Sequence, residues 1–313
     1  MIEQGQPPML VGVIGLGAMG MGAALSCHRA GLATTGCDFS AMARDSFIAA
    51  GGAAVGRAAD LPEGLAAVVV LVVNAAQTEA ALFGAEGCAP RLAPGAVVIS
   101  SATMSPEEAK RLAALAEARG LLWLDAPVSG GAAKAAEGAM TVMASGSAAA
   151  FAKARPVLDA VATKVWELGA EVGIGATVKV VHQLLAGVHI AVAAEAMALG
   201  IRAGADPQAL YDVVTSAAGN SWMFENRMAR VLTGDDASRA GGAPKVQSAV
   251  DIFVKDLGLV ADMARGLDQP VPLAAQARQL FIAASAMGHG RADDGFVIRV
   301  FAALTGIKLP GEK

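Results

Sequence analysis

Aromatic residues make up only 4% of the 313 residues, with a single Tyr, and charged residues only 17%. Lys and Arg number 24 against 28 Asp and Glu, for a net charge of -4, and no Lys/Arg cluster is interleaved with aromatics. A nucleic-acid interface, which needs a basic footprint and stacking rings, is therefore not expected. Cysteine is almost absent. Cys27, Cys37 and Cys88 are an odd set without metal-ligand spacing, so neither a disulfide framework nor a zinc site is expected, and all three read as small core residues in a reducing compartment. Long apolar runs are also missing from the first half, where Leu65 to Val73 is the longest at 9 residues. A bilayer span takes about 20. The apolar stretch Val180 to Gly200 is interrupted by His182, Gln183, His189 and Glu195, which suits a buried helix better than a membrane span. The N-terminal Met1 to Met9 has no basic segment, so no secretory leader is expected and the cytoplasm is the default location.

What is present is a compact, alanine-rich chain with 55% hydrophobic residues, long enough for two ordinary domains. From residue 9 to about 168, short β-branched runs alternate with amphipathic segments, the pattern of parallel strands joined by crossover helices. Strands are expected at Leu10–Ile14, Thr34–Cys37, Val68–Val73, Val97–Ser101, Leu121–Leu124, Thr141–Ala144 and Val165–Glu167. The clearest helices between them are Met19–Ala30, Ser40–Ala50 and Ser105–Arg119, the last with Ser105 as N-cap and Pro106 at its first position. After Gly175 the strand signal stops. Ala176–Ala203, Asp206–Thr215, Val246–Ala264, Leu273–Met287 and Phe296–Thr305 all read as helix, and Thr233–Pro244 as a flexible loop. The expected architecture is an α/β chain: an N-terminal doubly wound Rossmann sheet over 1–174, then an all-α domain over 175–313 that opens with a long interdomain helix.

The first chemical signal is Gly15, Leu16, Gly17, Ala18, Met19 and Gly20, a G-x-G-x-x-G loop directly after one strand and at the start of a helix. Gly15 permits the tight turn, Gly17 lets backbone approach a pyrophosphate, and Gly20 lets the helix pack on the sheet. The helix N-terminus then offers N–H groups and a favourable dipole to the phosphates. Asp38, at the end of the second strand, is placed to bind the adenosine ribose hydroxyls and to repel a 2′-phosphate, which favours NAD over NADP. Arg44 is the one nearby cation that would soften this preference. Asn74 and Thr103 both follow strand runs, where ligands bind in open α/β sheets, although Asn and Thr are also ordinary strand-exit residues.

Asp125-Ala-Pro-Val-Ser-Gly-Gly131 is a strand exit running into a Ser-Gly-Gly turn, either an anion cradle or a plain loop. Gly173-Ile-Gly-Ala-Thr-Val-Lys179 then places one lysine in an otherwise apolar helix start, an unusual setting for that side chain. With the glycine loop and Lys255-Asp-Leu-Gly-Leu, these segments make four motifs in order across nearly the whole chain. Together they resemble the β-hydroxyacid dehydrogenases, the 3-hydroxyisobutyrate dehydrogenase family.

The resemblance implies that Lys179 is the catalytic acid/base, that Ser129, Gly130 and Gly131 bind the substrate carboxylate, and that Thr103 and Lys255 line the cofactor, with Asp256 supporting Lys255. Family members commonly follow the lysine with an Asn-rich stretch, whereas this chain has His182 and Gln183, one helical turn on. The run Val178 to His189 looks most like the L-threonate dehydrogenase branch, whose members oxidise a polyhydroxy acid at C2. A His and a Gln would suit extra substrate hydroxyls. The resemblance also implies a homodimer or homotetramer. Trp222, Phe224 and Asn226 are read either as cleft-closing residues or as core. Other members of the family, acting on 3-hydroxyisobutyrate or tartronate semialdehyde, remain alternatives for the substrate. A non-catalytic dinucleotide-binding protein would have no need of Lys179 and the Ser-Gly-Gly turn.

Overall fold

The computed structural model of the chain describes residues 7–233 and 246–311. Its contacts divide it into two compact units, residues 1–179 and 180–313. The first unit carries the strands β1 Leu10–Ile14, β2 Ala33–Cys37, β3 Ala53–Val55, β4 Leu65–Val70, β5 Leu92–Ser100, β6 Leu122–Asp125, β7 Val128–Ser129, β8 Met140–Gly146 and β9 Ala162–Glu167. Its helices are α1 Ala18–Arg29, α2 Ala41–Ala49, α3 Ala75–Phe83, α4 Pro106–Glu117, α5 Gly131–Ala136 and α6 Ala148–Val161. The sheet runs β3-β2-β1-β4-β5-β6-β8-β7, with β9 beside β8. The six strands from β3 to β6 are parallel, β8 lies antiparallel to β6 and β7, and β9 is parallel to β8.

The valine runs explain why this sheet is central. Along β4 and β5, Val69, Val97 and Ile99 enter one core, while Val68, Val70 and Val98 enter another on the opposite face. Side chains alternate across a strand, so an unbroken apolar run means that both faces are covered, as helices cover a parallel sheet. Ser40, Asn74, Ser105 and Ser147 accept a backbone N–H at the starts of α2, α3, α4 and α6, which fixes where these helices begin.

Helix α7, Ile174–Arg202, crosses from the first unit into the second. It is long and apolar enough by composition to cross a membrane, but Ile190, Ala194 and Met197 are fully buried in the core of the second unit. That core is completed by α8 Pro207–Thr215, α9 Trp222–Thr233, α10 Val250–Gly266, α11 Pro272–Ala284 and α12 Ile298–Thr305. The expected flexible loop lies, beyond Thr233, outside the described residues.

Several expectations shift. β4 ends at Val70, not Val73, and β5 begins at Leu92, not Val97. The short β3 and β7, and the helices α3, α5, α6 and α9, gave no clear sequence signal. In α9, Phe224 is buried and stacked on Tyr211 with ring centroids 6.0 Å apart. Asn226 accepts from Arg227 and Arg230 at 2.7 and 2.6 Å, in a polar network that includes the buried, bidentate Arg227–Asp294 pair at 2.9 Å. Phe224 and Asn226 are thus structural members of this unit.

Removing one partner of a buried ion pair strands the other charge in a dry interior. Asp294→Ala is therefore expected to lower the urea-unfolding free energy by about 3–5 kcal/mol. A loss below about 1 kcal/mol, the worth of an exposed pair, would contradict this role.

Candidate active site

The glycine loop joins β1 to α1. Gly15 takes φ +89°, and a side chain there would come within 2.6 Å of the Leu71 carbonyl oxygen. At Gly20 a Cβ would overlap the Gly15 carbonyl, whereas at Gly17 nothing stands within 4 Å of where a Cβ would lie. Two glycines therefore serve the turn itself, and the third keeps open space in front of the backbone. The first amides of α1, from Ala18 and Met19 onward, have no carbonyl of their own helix to bond. Open backbone, helix N-terminus and dipole make a cradle for phosphate oxygens.

Asp38 closes one side of this loop. Its carboxylate accepts the Leu16 N–H at 2.7 Å and the Ser40 N–H at 2.8 Å, tying the loop to the end of β2. Each carboxylate oxygen retains capacity for a ribose hydroxyl. Arg44 is committed to backbone, donating to the Asp38 and Phe39 carbonyls at 2.8 and 2.9 Å. These residues fit a dinucleotide with unphosphorylated ribose.

The segment 125–131 does more than end a strand. Asp125 is buried at the end of β6, and its Oδ2 accepts the Gly173 N–H at 3.0 Å and the Ala176 N–H at 2.9 Å. Ser145, on β8, donates to the same oxygen at 3.4 Å and accepts the Gly175 N–H at 3.0 Å. The lead-in to α7 is thus clamped on one carboxylate and one hydroxyl. Three residues beyond Asp125, the Val128 carbonyl accepts from Lys179 Nζ at 2.8 Å. Lys179 is 7% exposed, a buried lysine with its amine delivered to this loop. Directly after Val128, Ser129 leads into Gly130 and Gly131, whose φ values of +135° and +72° form a tight turn ahead of α5. The sequence named this loop and this lysine; it did not reveal Asp125 and Ser145 as the groups that bring them together, because the partner amides lie far along the chain.

In the second unit, Gln183 is buried with both ends engaged. Its Nε2 donates to Asp256 Oδ2 at 2.5 Å, and its Oε1 lies 3.0 Å from His182 Nδ1. Asp256 is also ion-paired to Lys255 at 2.5 Å. Thr103 lies in the turn after β5, half-buried. Asn74 is not at a strand end: it stands beyond β4 and caps α3, its Oδ1 accepting the Gln77 N–H at 2.9 Å. No cluster of metal-ligating side chains occurs among the described residues.

Residues 10–169 match the NAD-binding domain of 6-phosphogluconate dehydrogenase, and residues 173–301 match the NAD-binding domain of NADP-dependent 3-hydroxyisobutyrate dehydrogenase. The chain is 55% identical to L-threonate dehydrogenase of Escherichia coli K12 over 97% of both chains. The counterpart from Cupriavidus necator is 54% identical, over 96% of this chain and 98% of its own. A solved 3-hydroxyisobutyrate dehydrogenase from Salmonella typhimurium superposes with TM-score 0.87 at 54% identity, covering 93% of this chain and 99% of its own. The chain belongs to the β-hydroxyacid dehydrogenase family. Its cofactor is NAD.

In this dehydrogenase the Asp125 clamp has a pH signature. Burial pushes its carboxyl up to about 6 from 3.8, against the opposing pull of the Ala176 and Gly173 amides and the Ser145 hydroxyl. The folded protein therefore holds this proton to higher pH than the unfolded chain does, so this group's contribution to stability falls as pH rises from about 4 to about 6 and then levels off. Wild type should lose stability relative to Asp125→Asn across that window, by no more than about 3 kcal/mol. Urea unfolding of both proteins at several pH values checks this, and a difference that stays constant with pH would contradict it.

Proposed function

We propose that this dehydrogenase oxidises L-threonate at C2 to the 2-oxo acid, with Lys179 taking the proton from the C2 hydroxyl. The observation that carries the reading is the buried Lys179, whose Nζ is held on the carbonyl of the residue before the Ser129-Gly130-Gly131 turn. One loop then positions both the base and the substrate's anchor. The substrate carboxylate rests on the N–H groups of Ser129, Gly130 and Gly131, which brings its C2 hydroxyl to Lys179. The Val128 carbonyl, an uncharged acceptor, can hold the amine in either protonation state, as a proton carrier requires. As C2 loses hydride and Nζ takes the hydroxyl proton, the carbon–oxygen bond becomes a carbonyl.

NAD, when bound, supplies the hydride acceptor. Gly15, Leu16, Gly17, Ala18, Met19 and Gly20 cradle its pyrophosphate, and Asp38 takes the ribose hydroxyls. Asn74, Thr103 and Lys255 are its further ligands. His182 meets the hydroxyls beyond C2, and Gln183, bonded to its ring, serves the substrate through it. The relatives named L-threonate dehydrogenase, at about 55% identity over almost the whole chain, support this choice of substrate. The Salmonella typhimurium protein of comparable identity, named 3-hydroxyisobutyrate dehydrogenase, supports a second reading in which that acid is the substrate.

Along α7 the exposed Val178, Leu185, Val192 and Leu199 recur every seventh residue, an apolar stripe suited to burial in a homodimer or homotetramer. The three buried free thiols suit a reducing, cytoplasmic setting.

The test is NADH formation by the purified protein with NAD or NADP against L-threonate, D-erythronate, 3-hydroxyisobutyrate, D-glycerate and serine. The expected result is the highest kcat/KM for L-threonate with NAD. A higher value for 3-hydroxyisobutyrate would move the assignment to the second reading.

A further inference from the structure

The polar chain in the second unit has a direction fixed by chemistry. Asp256 is 1% exposed and ion-paired to Lys255, so it is a carboxylate and can only accept hydrogen bonds. The Gln183 atom facing it at 2.5 Å must then be the donor, Nε2. This turns Gln183 Oε1, which can only accept, toward His182 Nδ1 at 3.0 Å. The ring nitrogen at that contact must carry a proton. We propose that Asp256, acting through Gln183, locks His182 in its Nδ1–H tautomer, and that this lock makes the enzyme selective for a substrate with a hydroxyl beyond C2.

The consequence follows from the two ring nitrogens. A neutral imidazole protonated at Nδ1 holds its lone pair at Nε2, so toward a ligand it accepts a hydrogen bond rather than giving one. A hydroxyl can donate to that nitrogen and a methyl group cannot. A site built to bond a hydroxyl discriminates strongly against an analogue that lacks it, because a polar group is left unpaired. Asp256 and Gln183 are positioning residues: they fix which nitrogen carries the proton, as outer-shell carboxylates do for metal-bound histidines. The selectivity half of the inference rests on the proposed function; the tautomer half does not.

Asp256→Asn tests the direction of the chain. The Lys255 ammonium would hold the asparagine by its oxygen, leaving the NH2 toward Gln183. Gln183 would then reverse and present its own NH2 to His182, and the ring would have to accept at Nδ1 and move to Nε2–H. The full chain labelled with 15N-histidine reports the tautomer through long-range nitrogen–proton correlations at a pH where the rings are neutral. The signal of His182 is assigned among the four histidines by its loss in His182→Asn.

The expected results are Nδ1–H in wild type and Nε2–H in folded Asp256→Asn. Wild-type His182 in the Nε2–H form would overturn the proposal without any appeal to the variant, and so would a folded variant that keeps Nδ1–H. In kinetics, Asp256→Asn should reduce the kcat/KM preference for L-threonate over 2-hydroxybutyrate, which lacks the outer hydroxyls, by about tenfold or more. An equal fall on both substrates, as a merely structural role would give, would overturn the selectivity half. If wild type turns over neither acid, the proposed substrate fails while the tautomer result stands by itself.

Discussion

The structure around Lys179 depends on a single buried carboxylate. A helix start leaves backbone N–H groups without partners, and burying them unpaired is costly. Here Asp125 takes two of these amides and Ser145 a third, so the chain enters α7 at one fixed place beside the end of β6. Lys179 follows on the second turn of that helix and reaches the loop that Asp125 itself begins. The same residue thus ends a strand, starts a helix and sets the distance from the lysine to the Ser-Gly-Gly turn. Desolvation of Asp125, visible as its raised pKa, is the energetic cost of this arrangement.

The sheet provides the rigid frame for that clamp. Because both faces of β4 and β5 are buried, the strand ends cannot shift register without exposing valines. The glycine loop, Asp38 and Asp125 all stand at carboxyl ends of parallel strands, the edge at which open α/β sheets bind ligands. The cofactor cradle and the lysine's support are in this sense two products of one packing solution.

Much of this was legible in the residues. The glycine loop, the N-cap at Ser105 and the switch from strands to helices after Gly175 are local signals, and local signals survive folding. What escaped was non-local or short. β3 and β7 are too brief to show a period, and the valine run at 65–73 gives no hint that pairing stops at Val70, which is why Asn74 read as a strand exit instead of a helix cap. Asp125 was visible as part of a motif, but its role lies in amides some fifty positions away, and no composition or spacing connects them. The Gln183–Asp256 contact is hidden for the same reason.

The central claim is that Lys179 carries the hydroxyl proton from a place the fold has prepared. The most direct measurement is chemical rescue of Lys179→Ala by small primary amines, with folding and NAD binding checked independently. The account predicts that turnover falls by about a hundredfold or more, and that added amine restores it in proportion to its basicity. Near-normal turnover of the folded variant with no amine present would contradict it.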